Sequence, residues 1–234
     1  TGSVKLVEKY LPDPFIFAVI LTFIVVVASM IFTKTTPIGV VEAWYGGFWN
    51  LLAFSMQMTL VLVTGTILAT APAFKKLLGK AASLPKNKYQ AIAIVNLVAL
   101  LACFVNWGFG LVIGAVFAKE VAKKVKGVDY PLLIAAAYSG FLVWHAGMSG
   151  SIPLKLATGG ESLSAATNGT ILDPISTNLT IFSTFNLLIF GIIVLTLPFL
   201  LALMHPKADA VKTIDPELLK DEEESLLHLK KEDN

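Results

Sequence analysis

The sequence contains no arginine, and all 18 of its basic residues are lysines. Arginine supplies the planar guanidinium group that grips a carboxylate or phosphate at two points. An anion bound by this protein must therefore be held by backbone N–H groups, hydroxyls, amides or a lysine. The formal net charge of +2 also argues against a nucleic-acid partner, which would need a concentrated basic face.

Cysteine and histidine are nearly absent as well. The single cysteine, Cys103, excludes an internal disulfide and a cysteine-rich metal site, and we expect it to be a small core residue. The three histidines are too scattered in the sequence to form a metal site: His145, His205 and His228. No hydrolase pattern is complete either, so we predict that the protein is not an enzyme and has no metal centre.

Charged residues are missing from five long stretches, while hydrophobic residues make up 56% of the chain and the mean hydropathy is +0.75. About 20 apolar residues are enough to cross the hydrocarbon core of a bilayer. We therefore predict an all-α integral membrane protein. The first stretch is too long for the apolar region of a signal peptide, so we expect it to be retained. The stretches are 14–33, 46–74, 90–118, 131–154 and 174–204.

Lysines cluster on both sides of the stretch 90–118, with five before it and four after it. Because cytoplasmic loops carry an excess of lysine, both ends of this stretch are predicted to be cytoplasmic. A straight helix of this length would measure about 43 Å, too long for one upright crossing and too short for two. We therefore predict a re-entrant hairpin that turns at 105–110, where one asparagine and two glycines interrupt the apolar residues.

The stretch 131–154 is also irregular. Two glycines, two serines and a proline lie between 147 and 153, and an unbroken helix would tolerate this only at a high cost. We predict a helix over 131–158 that unwinds at about 146–152.

These elements give a complete topology. The N-terminus is predicted to be cytoplasmic, and the loop at 159–173 extracytoplasmic. Residues 1–204 form one transmembrane repeat and 205–234 a cytoplasmic linker or tail, with a helix starting at Asp215-Pro216-Glu217. The predicted spans are 14–33, 46–74, the hairpin 90–118, the broken helix 131–158 and 174–204.

Two interrupted elements in one bundle are typical of secondary transporters. The N-terminus of a half-helix presents N–H groups and a positive dipole end to an anion, and unwound carbonyl groups can coordinate a cation. The alternative is that the glycines only allow close helix packing, since Gly110 and Gly114 fit a small-residue contact motif.

Few polar side chains interrupt the apolar stretches. His145 is a candidate proton carrier or hydrogen-bond donor to a substrate, or else a neutral histidine bonded to a backbone group that the break has freed. Lys155 either attracts an anion or extends to the membrane interface. Three amides are expected to form interhelical hydrogen bonds: Asn50, Gln57 and Asn96.

Five sequence blocks follow one another in a specific order: 11–18 (LPDPFIFA), 47–54 (GFWNLLAF), 105–115 (VNWGFGLVIGA), 129–135 (DYPLLIA) and 149–154 (SGSIPL). In this order, from Leu11 to about Pro216, the chain resembles the bacterial short-chain fatty acid transporter family, which takes up acetoacetate and butyrate. The resemblance implies a multi-pass carrier of the bacterial inner membrane. It also implies kinship with the ion transporter superfamily, whose members use two inverted repeats, re-entrant hairpins and an elevator motion.

The resemblance also implies the binding residues. The hairpin tip and the unwound segment are expected to hold the substrate, with a possible Na⁺ near Asn106, Gly108 and Ser149. His145 and Lys155 stand where we expect smaller or apolar residues. With His145 included, the expected substrate-binding residues are Asn106, Trp107, Gly108, Gly110, His145, Gly147, Ser149, Gly150 and Ser151.

Family members are about twice as long as this chain, so the chain is expected to be half of an inverted-repeat transporter. We expect a carrier of small monocarboxylates that is coupled to H⁺ or Na⁺ and has no other cofactor. It would need a complementary second-repeat chain or another copy of itself. The alternatives are a carrier of another organic anion, such as a dicarboxylate, and a membrane subunit that assembles with a partner without transporting.

Overall fold

The computed structural model describes residues 13–215, and every regular element in that range is helical. Three short 3-10 segments lie at Gly140–Ala146, Thr177–Leu179 and Ala208–Ala210. The α-helices are α1 (Pro14–Phe32), α2 (Pro37–Thr70), α3 (Pro72–Ala81), α4 (Lys88–Val105), α5 (Trp107–Lys124), α6 (Tyr130–Ser139), α7 (Ser151–Thr158), α8 (Glu161–Ala166) and α9 (Thr184–Leu203).

Four helical segments in the described range are long and apolar enough to cross a bilayer. A fifth is added if residues 55–68 and 72–81, which meet at an angle of 71°, count as one bent span. The prediction of an all-α membrane protein is thereby confirmed. The four segments are Phe15–Phe32, Lys88–Val105, Tyr130–Thr158 and Thr184–Leu203.

Several helix ends differ from the charge-free stretches. Helix α2 begins at Pro37, takes in Glu42, and ends just before Pro72, whose ring has no N–H for a continuing helix. Helix α9 begins at Thr184, where the Ser183 hydroxyl accepts a hydrogen bond from the Asn186 N–H. The absence of charge therefore locates apolar segments better than it locates helix ends.

The chain divides into two compact units, residues 1–57 and 58–234. In the described part of the first unit, Asp13 caps α1 by accepting from the Phe15 N–H at 2.8 Å, and Pro14 takes the first helical position. A cavity of about 480 Å³ lies between α1 and the start of α2. No residue of the α1 span is buried, as expected for a helix surrounded by lipid.

Helix α4 lies at the centre of the second unit. Its inner face is completely buried at Ile92, Val95, Ala99 and Leu100. Helix α5 runs antiparallel to α4, since Gly110 lies against Cys103 while Gly114 lies against Ala99.

The other two neighbours of α4 have opposite directions. Helix α6 and the 3-10 segment that follows it run parallel to α4, because Gly140 lies against Ala99 and Gly147 against Phe104. Helix α9 runs antiparallel to α4. The rings of Phe104 and Phe190 stack at 4.1 Å near one end of the pair, and those of Tyr89 and His205 meet at 5.6 Å near the other.

These directions place the start of α4, the end of α5, the start of α6 and the end of α9 at one end of the unit. We call this the lysine end, because the predicted cytoplasmic lysine clusters flank α4 and α5 here. The Lys124 ammonium group donates hydrogen bonds to the Ser83 hydroxyl at 2.9 Å and to the Gly79 carbonyl. The hairpin tip and the break after α6 lie at the opposite end.

The segment after α9 folds back onto the lysine end. The Asp129 N–H donates to His205 Nε2 at 3.1 Å, and the Lys212 N–H donates to the Asp129 carboxylate at 2.9 Å. The Tyr130 N–H donates to the Lys212 carbonyl at 2.8 Å. The first part of the predicted tail is thus docked on the start of α6, while residues 1–12 and 216–234, including most of the predicted helix start at Asp215-Pro216-Glu217, lie outside the described residues.

The three intramembrane amides have different outcomes. The fully buried Asn96 donates from Nδ2 to the Ala136 carbonyl and to the Ser139 hydroxyl, both at 2.9 Å, so its predicted interhelical hydrogen bond is present. Gln57 is exposed, and its side-chain amide has no hydrogen-bond partner in the described part of the chain. The side chain of Asn50 lies outside the described set.

Candidate functional site

The turn of the hairpin consists of one extended residue, Asn106 (φ −151°, ψ 118°). Its N–H donates to the Ala102 carbonyl at 2.9 Å, which closes α4. Its side-chain Oδ1 accepts from the Phe109 N–H at 3.0 Å, which caps α5. One asparagine therefore ends the first helix and begins the second, and the two helices lie antiparallel. That this hairpin is re-entrant in the membrane stays a prediction.

Three of the predicted site glycines are closely packed, two against backbone and one against a side chain. A Cβ atom at Gly110 would lie 2.6 Å from Cys103 Cα, and one at Gly147 would lie 2.5 Å from the Phe104 carbonyl oxygen. A Cβ atom at Gly108 would overlap the Val61 side chain of α2. These contacts favour the packing interpretation of the glycines, and their predicted substrate contacts stay predictions.

The break in the α6 span begins after a 3-10 segment. Gly147 has an extended backbone (φ −93°, ψ 174°), and α7 restarts after Gly150. The Met148 N–H donates to the Phe104 carbonyl at 2.7 Å, which fixes the break against the end of α4. The interruption at 147–150 lies within the predicted range of 146–152.

The hairpin tip and the break meet at one polar contact. The Trp107 N–H, at the first position of α5, donates to the Ser149 Oγ at 2.9 Å. The structure therefore brings Asn106 and Trp107 together with Ser149, which follows Trp107 by 42 residues in the sequence. Within residues 13–215 the Ser149 hydroxyl finds no acceptor for its own proton, so this O–H is available to a ligand.

Most N–H groups at the N-terminus of α5 are already hydrogen-bonded within the protein. Three of its first four N–H groups are taken. The Trp107 N–H donates to the Ser149 hydroxyl, the Phe109 N–H to the Asn106 side chain, and the Gly110 N–H to the Asn106 carbonyl at 2.8 Å. Of the first-turn N–H groups, that of Gly108 alone has no partner among the described residues. This half-helix therefore has fewer free N–H groups for an anion than the sequence predicted.

The N-terminus of α7 is open by comparison. Gly150 occupies the cap position and provides no side-chain hydrogen bond. The N–H groups of Ser149, Ser151 and Ile152 have no partner in the described part of the chain, and the Ser151 side chain is exposed. Unpaired N–H groups at a helix N-terminus favour an anion. The Ser149 hydroxyl and this helix end together form the candidate site for a carboxylate.

His145 lies at the end of the 3-10 segment, beside the break. Its exposed imidazole stacks on the Trp144 ring at 4.3 Å and lines a cavity of about 300 Å³ that none of the tip residues lines. Lys155 lines a different cavity of about 330 Å³, together with Ser151. The backbone carbonyl of His145 lies against Gly150, so the structure keeps His145 next to the break while its imidazole lines a cavity of its own.

An aromatic cluster beside the tip was missed from the sequence. The Trp144 ring lies 5.1 Å from Trp107 and 4.8 Å from Phe141, on which it stacks. Asn186 was also missed, although its Nδ2 holds the break by donating to the Ala146 carbonyl at 2.9 Å and to the Ile181 carbonyl at 2.8 Å. Asn186 could have been identified from the sequence as a polar residue within the apolar stretch 174–204. No sequence feature indicated the aromatic contacts.

Cation binding would have to rely on neutral oxygens. Among the described residues there is no group of three His, Cys, Asp or Glu side chains that could hold a metal ion. The oxygens of Asn106 and Ser149 each already accept one backbone hydrogen bond, so they could contribute to a Na⁺ site only with further carbonyl oxygens. The Na⁺ site predicted near Asn106, Gly108 and Ser149 stays a prediction.

A bundle of apolar helices in which an antiparallel hairpin meets an interrupted span at a polar contact is the architecture of an all-α membrane transporter. The chain matches the family described as short chain fatty acid transporter over residues 2–234. It belongs to that family.

Two relatives are similar over most of the chain. One, from Haemophilus influenzae (strain ATCC 51907 / DSM 11121 / KW20 / Rd), is 47% identical over 218 residues, covering 91% of this chain and 48% of the relative. The other, from Escherichia coli (strain K12), is 47% identical over 218 residues, covering 93% of this chain and 48% of the relative. Each is described as a candidate short-chain fatty acid transporter. The chain spans about half the length of these relatives, and no solved structure matches it.

Proposed function

We propose that the chain is the first repeat of a secondary carrier that moves short-chain fatty acids or related small monocarboxylates across the bacterial inner membrane. Family membership supports the substrate class, and the apolar helices support the membrane location. The lysine end would face the cytoplasm, following the excess of lysine in cytoplasmic loops. The N-terminus and the tail would lie on the same side.

The contact between Trp107 and Ser149 carries the proposal. The Ser149 oxygen is held by the first N–H of α5, and its proton points to no acceptor in the described residues. A carboxylate placed here would accept from the Ser149 hydroxyl and from the free N–H groups of Ser151 and Ile152. Such a site fits a chain that has no arginine, because hydroxyls and a helix N-terminus supply the donors.

The aromatic cluster supplies the apolar side of the same site. The Trp107 and Trp144 rings lie beside the tip, where they could cover a short alkyl chain. A carrier of this kind also needs a second set of broken elements to close the site from the other side of the membrane. We propose that a complementary repeat, in a second polypeptide or a second copy of this chain, provides it.

Replacing Ser149 by Ala in the completed carrier tests the site. Loss of one hydrogen bond to an ionised carboxylate, worth about 1.5–3 kcal/mol, should raise KM for butyrate by about 13- to 160-fold. The measurement is uptake of labelled butyrate into liposomes. Ser83→Ala, at the lysine end, is the matched control and should leave KM unchanged. Equal KM values for Ser149→Ala and the unmodified carrier would count against the site.

The coupling ion is proposed as H⁺ or Na⁺. Imposing either a pH gradient or a Na⁺ gradient across the same liposomes decides between them. The gradient that drives accumulation of butyrate above equilibrium identifies the ion. Accumulation driven by neither gradient would contradict coupled transport.

A further inference from the structure

The cavity beside His145 is lined by none of the hairpin-tip residues 106–110, and of the α7 N-terminus it includes Ile152 but not Ser149 or Ser151. It measures about 300 Å³, at the lower end of the range for small-molecule pockets. Its walls come from the end of the 3-10 segment, from α7, from residues 179–183 and from the first turn of α9. It therefore lies on the side of the molecule opposite the lysine end, where α9 begins.

The side-chain hydrogen-bond donors that line this cavity are already paired, with the exception of His145. The Thr180 hydroxyl donates to the Thr177 carbonyl, and the Ser183 hydroxyl donates to the Thr180 carbonyl at 2.8 Å. The Asn186 amide group donates to two backbone carbonyls. The imidazole of His145 has no hydrogen-bond partner among the described residues, and no other lining residue carries an ionisable side chain.

The remaining walls are apolar. They include the buried Pro153 and Ile181 and the more exposed Ile152, Leu179 and Phe185. A ligand that matches these walls has one charged or polar group for the imidazole and a short hydrocarbon part for the rest. The imidazole carries an N–H donor in its neutral and in its charged form, so it can bind a carboxylate in either.

We propose that the His145 cavity is a second binding site for a short-chain monocarboxylate, distinct from the site at the hairpin tip. His145 binds the carboxylate, and the wall of Pro153, Ile181 and Phe185 covers the alkyl chain. A dicarboxylate is disfavoured, because its second charge would be placed against apolar side chains without a partner. The position of the cavity makes it an entry site on the side away from the lysine end. The choice of ligand class rests on the proposed function.

The test is protection of His145 from chemical modification. The full chain in detergent is treated with diethyl pyrocarbonate, and the extent of modification at His145 is followed by peptide mass spectrometry. Butyrate should slow this modification at least about tenfold at concentrations well above a millimolar Kd. Butyramide, which has the same shape but no charge, should protect much less, and so should succinate.

Two variants locate the protecting ligand. Leu179→Trp adds bulk at the rim of the cavity, where Leu179 is 73% exposed, and should abolish the protection. Leu172→Trp is the matched control, because Leu172 is 65% exposed and does not line the cavity, and it should keep the protection. Ser149→Ala should also keep it, since Ser149 belongs to the tip site.

The outcomes separate this inference from the proposed function. Absence of protection by butyrate overturns the second site, even if the completed carrier transports butyrate. Protection that is lost in Ser149→Ala but kept in Leu179→Trp also overturns it, since the histidine would then belong to the tip site. Protection that follows the expected pattern supports the second site, even if uptake is never observed.

Discussion

Glycine residues, whose side chain is a single hydrogen atom, determine how closely the central helices approach each other. Gly110 of α5 has its Cα against the backbone of Cys103, so that no side chain separates the two helices at this point. Most glycines in the apolar stretches could serve packing or backbone freedom equally well. At Gly110 the packing role is clear, because the neighbouring atoms belong to the Cys103 backbone, which cannot move aside as a flexible side chain can.

Gly110→Ala should destabilise the protein. The new methyl group would lie 2.6 Å from Cys103 Cα, and overpacking of this kind costs about 1–3 kcal/mol. The measurement is the thermal unfolding midpoint of the purified chain in detergent, followed by circular dichroism. Gly191→Ala in α9 is the control, because its Cβ would meet no atom within 4 Å. That variant should be neutral or gain up to about 1 kcal/mol from helix propensity.

An unchanged midpoint for Gly110→Ala would contradict the close approach of α4 and α5. A large loss for Gly191→Ala would show that the comparison reflects a general sensitivity to alanine.

Part of the candidate site followed from residue types alone. Asn106 and the glycine-serine cluster at 147–151 were recognisable because their backbone preferences do not suit an unbroken helix. Their meeting through the Trp107 N–H and Ser149 Oγ was expected only from the family resemblance, since it depends on how two distant segments pack. That His145 lines a cavity without the tip residues has the same cause, because the position of a residue within a helical turn decides which neighbours its side chain meets.

At the scale of elements, the hairpin places two lysine-flanked ends together. The chain enters α4 at Lys88 and leaves α5 at Lys124, and both ends lie near residues 83 and 205 at the lysine end. The helices continue past the charge-free stretch 90–118 because lysine is a good helix former and its long side chain reaches the interface. Composition thus predicted the hairpin but underestimated its length.

Cysteine labelling tests the side of the membrane on which the hairpin begins and ends. In a Cys103→Ser background, cysteines at the exposed positions Lys86 and Lys126 should react with an impermeant maleimide from the same, cytoplasmic side. A cysteine at Leu172, beyond α8, should react from the opposite side. Reaction of the two lysine-end positions from opposite sides would contradict the hairpin topology.

The sequence predicted a linker or tail from residue 205, but it did not predict that residues 205–212 dock on the start of α6. One carboxylate organises it, because Asp129 accepts from the Leu132 N–H at 2.9 Å as the cap of α6 and from the Lys212 N–H at the same distance. A free tail and a docked segment can have the same amino-acid composition. Whether the segment docks depends on the hydrogen-bond partners that the rest of the fold provides.

Asp129→Ala should loosen this segment. Loss of the cap costs about 1 kcal/mol, and loss of the hydrogen bond from the Lys212 N–H removes one of the three hydrogen bonds that hold the segment on the start of α6. Trypsin should then cut after Lys207 and Lys212 faster than in the unmodified chain. Asp13→Ala is the control, because it removes the cap of α1 and leaves the docked segment in place. Equal cleavage rates in both variants would contradict the docking.

At the scale of the whole molecule, the described residues contain the hairpin of α4 and α5 and the interrupted span of α6 and α7. Irregular backbone within a membrane is tolerated where it is buried in protein or lines a wet cavity. The open N-terminus of α7 and the exposed Ser151 are surfaces of this kind, and the relatives are about twice as long as this chain. A complementary repeat is therefore expected to cover them.

The isolated chain is expected not to transport. Liposomes containing the chain alone should take up butyrate no faster than empty liposomes, and uptake should appear when a polypeptide with the complementary repeat is added. Saturable uptake by a chain shown to be monomeric in the liposomes would contradict this expectation. Saturable uptake by a dimer of the chain would identify the second copy as the complement.

The glycine contacts around α4 have a mechanical consequence. Gly110 lies against Cys103, Gly140 against Ala99 and Gly147 against Phe104, so no long side chain separates the three segments at these points. Close-packed interiors have low compressibility and transmit strain. If this part of the chain moves in the completed carrier, we expect the three segments to move as one body and the distance between Trp107 and Ser149 to be kept.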